Sequence, residues 1–171
     1  MKKHVDAIVR TAEQRDCAAV CVLRKELSRR SWRERPDFFR PEPLGLTEAN
    51  FAGLLANAEF TVLVAEVEPA TVAGYAKIWM GANDGSDWTF PSRNAYLEDL
   101  LVDARFRRHG IGGMLLARVE ALASAAGAEA LGLSVQSNNP GARAFYDVNG
   151  FRAQSEYRRK VLNPQVRIER A

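Results

Sequence analysis

Residues 107 to 113 read RRHGIGG, two arginines and a histidine running into three glycines. An apolar helical stretch begins just after them. A helix N-terminus presents unpaired backbone N–H groups and the positive end of the helix dipole. Glycines remove the Cβ atoms that would hold a phosphate away from those groups. The arginines ahead of the turn add guanidinium groups suited to phosphate oxygens. A plain tight turn, with glycines for close packing, is the other reading these residues allow. Just upstream, Glu98 and Asp99 interrupt the apolar run AYLEDLLV. Carboxylates in a strand buried on both faces are costly unless they are paired or do chemistry. Adjacent strand residues point to opposite faces, so at most one of the two is expected to face a reaction.

The turn must sit between a strand, 95–102, and a helix running to about residue 126. Ile111, Leu115, Val119 and Leu122 recur at helical spacing and should face the sheet. Residues 4–12 alternate enough for a first strand. The stretch 12–30 follows as a helix, with Ala18, Cys21, Val22, Leu23 and Leu27 apolar. Residues 35–45 carry three prolines and a glycine and read as a loop. Residues 47–58 read as a short helix with Thr47 as N-cap. A β-hairpin spans 60–80 around Pro69, and 81–94 is a polar loop. Residues 129–137 form another strand. Residues 139–149 form a helix with Pro140 in its first turn, ended by Gly150. Residues 151–162 return as a last strand. This order, β, α, α, β, β, β, α, β, α, β, describes a mixed α/β sheet with helices on its faces. The crossover from Tyr96 to Gln136 should be parallel.

At 171 residues the chain is expected to form a single domain, 1–171, with a substantial core. There are 24 basic and 21 acidic residues, a net charge of +3. That is too little to argue for a nucleic-acid partner. No apolar run approaches the roughly 20 residues of a membrane span. The first residues hold no apolar core long enough for a secretory signal, so no membrane partner and a cytoplasmic location are expected. Cys17 and Cys21 lack the companions of a structural zinc site and read as small, reduced, buried side chains. No metal is expected. Neither the G-x-G-x-x-G fingerprint nor the P-loop pattern is present.

Two motifs carry a resemblance. Arg107-x-x-Gly110-x-Gly112, within YLEDLLVDARFRRHGIGGMLL, is similar to the Q/R-x-x-G-x-G/A signature of the GNAT superfamily of acyl-CoA-dependent N-acetyltransferases. LSVQSNNPGARAFYDVNGF is similar to that family's next segment, with Asn139, Ala142, Phe145, Tyr146, Gly150 and Phe151 in place. The likeness in motifs covers roughly residues 60–152. It implies a mixed, mainly antiparallel sheet with a splayed parallel pair, β4/β5, and helices on both faces.

What the resemblance implies for chemistry follows residue by residue. The main chain of Arg107, Arg108, His109, Gly110, Ile111, Gly112 and Gly113 would hold the diphosphate of acetyl-CoA. Leu100, Leu101 and Val102 would offer backbone groups to the pantetheine arm and the thioester carbonyl, a strand added to an open edge. Asn139 matches a coenzyme-contacting position, and an N-cap role for it is compatible. Tyr146 matches the general acid that protonates the departing thiolate, and a phenol with a pKa of about 10 has the proton to give. Glu98 lies four residues before Val102, as the base does in histone-type members. Asp99 would pin the substrate amine or pair with an arginine. Some members carry the base five residues before the motif asparagine. Ser134 stands there in this chain and cannot serve.

The family's acceptor site is built from the first helices and their loop, here with Trp32, Phe38 and Phe39 among arginines. An ordinary capping loop is the alternative for that stretch. Asp84 and Asp87 would be available to a cationic amine. The expected partner is an amine substrate, a small molecule or a peptide, acetylated by direct attack in a ternary complex. A homodimer is an expectation by analogy alone. The competing readings are a non-catalytic acyl-CoA-binding or sensor domain and a generic nucleotide-binding fold. The hairpin disfavours the second of these.

Overall fold

The computed structural model describes residues 6–36, 38–40, 42, 47–68, 71–160 and 162. The strands are β1 (Ile8–Thr11), β2 (Phe60–Glu68), β3 (Thr71–Asn83), β4 (Ser92–Val102) and β5 (Ala130–Leu133). The helices are α1 (Cys17–Glu34), α2 (Glu48–Ala56), α3 (Ile111–Ala125) and α4 (Pro140–Val148). The chain divides into two compact units, one up to Leu133 and one from Ser134 onward.

In the first unit the sheet order is β1-β2-β3-β4-β5. The first three pairings are antiparallel, and β4 with β5 is parallel. The hairpin expected over 60–80 is the β2–β3 pair. Its turn at Pro69 lies outside the described residues. Alternation along the strands divides the core. Val62, Val64, Tyr75 and Leu101 pack with Cys17, Val20 and Leu23 of α1 and Phe51 of α2. Leu63, Ala65, Ala76 and Ile78 carry the opposite parity and are fully buried. On that side lies α3, which buries Ile111, Leu115, Leu116, Val119 and Ala123. A side chain at Gly74 on β3 would meet Leu115 Cδ1 at 3.3 Å and the Leu101 carbonyl oxygen at 2.6 Å, so this close approach requires glycine.

Several boundaries differ from the sequence reading. α1 starts at Cys17, not near residue 12, because a 3-10 turn over Gln14–Asp16 precedes it. The Asp16 carboxylate accepts from the Glu13 amide at 2.8 Å and from both terminal nitrogens of Arg10 at 2.7 and 2.9 Å. Arg10 also donates to Glu66 at 2.8 Å. This network ties β1, β2 and the entry to α1 together. Within α1 the buried face is Cys17, Val20 and Leu23, while Val22 is 67% exposed. The 81–94 loop is shorter than expected, because β3 runs to Asn83 and β4 starts at Ser92. β5 covers 130–133 rather than 129–137. Thr47 caps α2 as expected, its hydroxyl accepting from the Asn50 amide at 3.1 Å.

In the second unit, Asn139 caps α4 by accepting from the Ala142 amide at 3.2 Å, and Pro140 occupies the first turn. The helix closes with Phe151 N–H bonded to the Tyr146 carbonyl at 3.1 Å and Gly150 N–H to that of Asp147 at 3.2 Å. This is a Schellman ending. The last strand expected over 151–162 is not found: residues 151–160 form no strand. Residues 152–160 are exposed at both parities, Tyr157 included, so neither face of the stretch is buried against a sheet.

Candidate active site

The parallel pairing of β5 on β4 runs only from Asn94↔Ala130 to Leu97↔Leu133. β4 continues through Val102, bonded to β3 alone. Its other edge, from Glu98 to Val102, therefore meets no strand among the described residues of this unit. Leu101 is buried, and Leu100 and Val102 are half-buried. An extended chain of amides could add to such an edge.

The edge leads into a tight loop. Asp103 caps a 3-10 turn over Ala104–Phe106, accepting from the Arg105 amide at 2.9 Å and from the Arg105 guanidinium at 2.7 Å. These hydrogen bonds with Arg105 hold the Asp103 carboxyl below the usual carboxylate range. Arg108 has φ 68° and Gly110 has φ 89°. A left-handed residue without Cβ is needed at Gly110, where α3 begins. The space around Gly110 and Gly113 is open. The first loop-side acceptor in α3 serves Met114, whose amide bonds the Gly110 carbonyl at 3.1 Å. Among the described residues, none accepts from the amides of Arg108 to Gly113. His109 Nδ1 is enclosed, also without a partner among the described residues. Unsatisfied donors gathered at a helix N-terminus suit a multiply charged anion.

Arg107 turns its side chain away from those amides. Its Nε donates to the Val102 carbonyl at 3.0 Å, and a terminal nitrogen donates to Glu26 of α1 at 2.6 Å.

The two carboxylates on β4 require a correction. The β3–β4 register passes from Lys77↔Asp99 directly to Ile78↔Leu97. Glu98 is thus the extra residue of a β-bulge, and strict alternation fails there. Glu98 forms an ion pair with Lys77 Nζ at 2.5 Å. Lys77 lies two residues from Tyr75 on β3 and so shares its face, the one toward α1. Asp99 is 3.8 Å from Arg24 Nε of α1. Both carboxylates therefore reach the α1 side of the sheet. For Asp99, the structure contains the arginine pairing that the sequence left as one alternative.

Tyr75 completes this cluster. It is 1% exposed, and its hydroxyl makes no hydrogen bond of good geometry. Burial, and then the Asp99 charge beside it, push its phenol far above the ordinary value, so it stays protonated at neutral pH. Lys77, Tyr75 and Arg24 were missed from sequence. The signal for Lys77 was present: a single cation inside the apolar run of β3 raises the same cost argument as Glu98. Lys77 Nζ also lies 4.5 Å from the Phe60 ring centroid.

On α1, Trp32 is half-buried. Phe39 is half-buried and Phe38 exposed, their rings edge to face at 4.9 Å. Residues 41 and 43–46 of that loop lie outside the described residues. Asp84 and Asp87 are exposed. In the second unit, Tyr146 is half-buried, with ring centroids 5.2 Å from Phe145 and 5.5 Å from Phe151. No helix among the described residues is long and apolar enough to cross a membrane.

Comparison with known proteins bears on the fold and the family. The model of the acetyltransferase (GNAT) family matches residues 24–151. An uncharacterized N-acetyltransferase of Bacillus subtilis, YhfO, is 29% identical over 155 residues, covering 91% of this chain and 96% of that protein. The thialysine N-epsilon-acetyltransferase of Sus scrofa is 28% identical over 156 residues, covering 87% and 86%. Among solved structures, a tetramutant of the BH1408 protein from Bacillus halodurans aligns with a TM-score of 0.85 at 26% identity, covering 91% of this chain and 99% of that one.

Proposed function

Because this chain belongs to the GNAT acetyltransferase family, whose members use acetyl-CoA as co-substrate, we propose that it acetylates a primary amine by direct attack on the bound thioester. The observation that carries this is the open β4 edge running into the unsatisfied amides at the start of α3. Amides of residues 108–113 would take the coenzyme diphosphate. The edge at Leu100 to Val102 would take the pantetheine amides and polarise the thioester carbonyl.

In the step proposed, the amine nitrogen attacks the acetyl carbon. The C–N bond forms and the C–S bond breaks. Glu98, directly or through water, accepts the proton the ammonium must lose. Tyr146 is assigned by its motif position as the donor that protonates the thiolate leaving group. The net reaction converts R–NH3+ and acetyl-CoA to the N-acetyl amine, CoA-SH and a proton. Asp99, held by Arg24, and the aromatic residues Trp32, Phe38 and Phe39 are proposed acceptor contacts. A relative named for acetylating the Nε of thialysine supports an amine of this kind as the acceptor.

The test is an amine-library screen for CoA release with acetyl-CoA, repeated with Tyr146→Phe on the best acceptor. General acid catalysis contributes about 10²- to 10⁴-fold, so kcat should fall by at least about a hundredfold. A full rate in Tyr146→Phe removes the acid role. Tight acetyl-CoA binding with no acceptor turned over would favour the sensor reading instead.

A further inference from the structure

The outward face of α1 carries a basic cleft that the proposed reaction does not use. Lys25, Glu26, Arg29, Arg30, Arg33 and Arg107 line an open cleft of about 560 Å³. At 100° per residue Lys25, Arg29 and Arg33 lie within about 40° of the direction opposite Val20, while Glu26 and Arg30 sit toward the Leu23 side of the helix. The acceptor amine, by contrast, would be sought near Glu98 and Asp99, on the buried side of α1. Five cations meet one acid in the cleft wall. Arg29 is paired with Glu42 at 2.5 Å, and Arg30 approaches Glu34 at 3.6 Å. Lys25 and Arg33 have no partner among the described residues. Arg107 joins the cleft to the anion loop, since its main chain belongs to the loop and its guanidinium reaches Glu26.

Coenzyme A carries three phosphate groups. The loop amides account for the diphosphate and leave the 3′-phosphate, one ribose away, without a partner. The cleft begins at the same arginine that ends the loop. We infer that this cleft on α1 binds the 3′-phosphate of the coenzyme, with Lys25 and Arg33 as its unengaged cations and Arg29 and Arg107 at its rim. This rests on the coenzyme binding proposed above. A dianion among guanidinium and ammonium groups gains charge-assisted hydrogen bonds. It would also relieve the mutual repulsion of the arginines along one helix face.

Calorimetry with CoA and with 3′-dephospho-CoA tests this, on the wild type and on the double variant Lys25→Gln/Arg33→Gln. Both residues are exposed, so the variant should fold. The wild type should bind CoA about tenfold more tightly than 3′-dephospho-CoA. The double variant should lose most of that preference while binding 3′-dephospho-CoA as the wild type does. Equal binding of the two ligands by the wild type, or an equal loss for both in the variant, overturns the inference and leaves the loop assignment intact. Binding of neither ligand by the wild type would overturn the coenzyme reading itself.

Discussion

The Lys77–Glu98 pair offers a sharp test, because stability and chemistry should separate there. The ion pair measures 2.5 Å, with the side chains 20% and 35% exposed. That exposure places it near the upper end for surface pairs, about 1 kcal/mol. Lys77 over Phe60 adds about 0.5 kcal/mol. Lys77→Met should therefore cost about 1–1.5 kcal/mol. For a chain of this size that lowers Tm by roughly 2–6 °C. Glu98→Gln should cost about 1 kcal/mol. The double variant should recover about 1 kcal/mol of coupling relative to the sum. Rates should diverge from stability. Glu98→Gln removes the proposed base and should lower kcat/KM by about 10²-fold or more. Lys77→Met keeps the carboxylate and should change kcat/KM by no more than a few-fold. Thermal melts and CoA-release kinetics on the three variants measure both. Zero coupling would refute the ion pair as a stabilising contact. Equal rate losses in the two single variants would refute the assignment of Glu98 as base with Lys77 as its structural partner.

Other outcomes follow from the fold. Gly74→Ala places a Cβ 2.6 Å from the Leu101 carbonyl oxygen, so β3 and β4 must separate. Overpacking of this kind costs about 1–3 kcal/mol, and the melt of Gly74→Ala should show it. Burial raises the Asp16 carboxyl most, but the hydrogen bonds from Arg10 and the Glu13 amide, with the charges of Arg10 and Arg15, together outweigh it and the net shift is downward. A depressed native pKa contributes stability above the ordinary value of about 4, lost as pH falls through the native value. Denaturant melts from pH 6 to 3 should therefore lose stability below about pH 4, and Asp16→Asn should flatten that loss. Thr47→Ala should cost about 1 kcal/mol through the lost cap on α2.

Features set by local chemistry were legible in the sequence. The glycine turn before α3, the Thr47 and Asn139 caps, Pro140 in the first turn of α4 and Gly150 at its end each depend on neighbours a few residues away. The loop over residues 107–113 belongs to this class, and so its place between β4 and α3 could be read in advance. Features set by register were not legible. Nothing around Glu98 marks a bulge, because the extra residue arises from how β4 fits the longer β3. The side chain of Arg107 reaches α1 through a contact 81 residues distant in sequence. Val22 stands among the apolar residues at helical spacing in α1, yet it is exposed and Val20 is the buried one, since alanines and valines fill adjacent positions and blur the apolar stripe. The strand expected after Gly150 had some alternation, but residues 152–160 bury neither of the two faces that alternation would make.

The central claim is that backbone amides of residues 108–113 and the β4 edge at residues 100–102 receive the coenzyme. Amide-resolved NMR titration with CoA tests it most directly. The account predicts large shifts and slowed hydrogen exchange at those amides, with α2 unaffected. Saturable binding that leaves both sets of amides unmoved would contradict it.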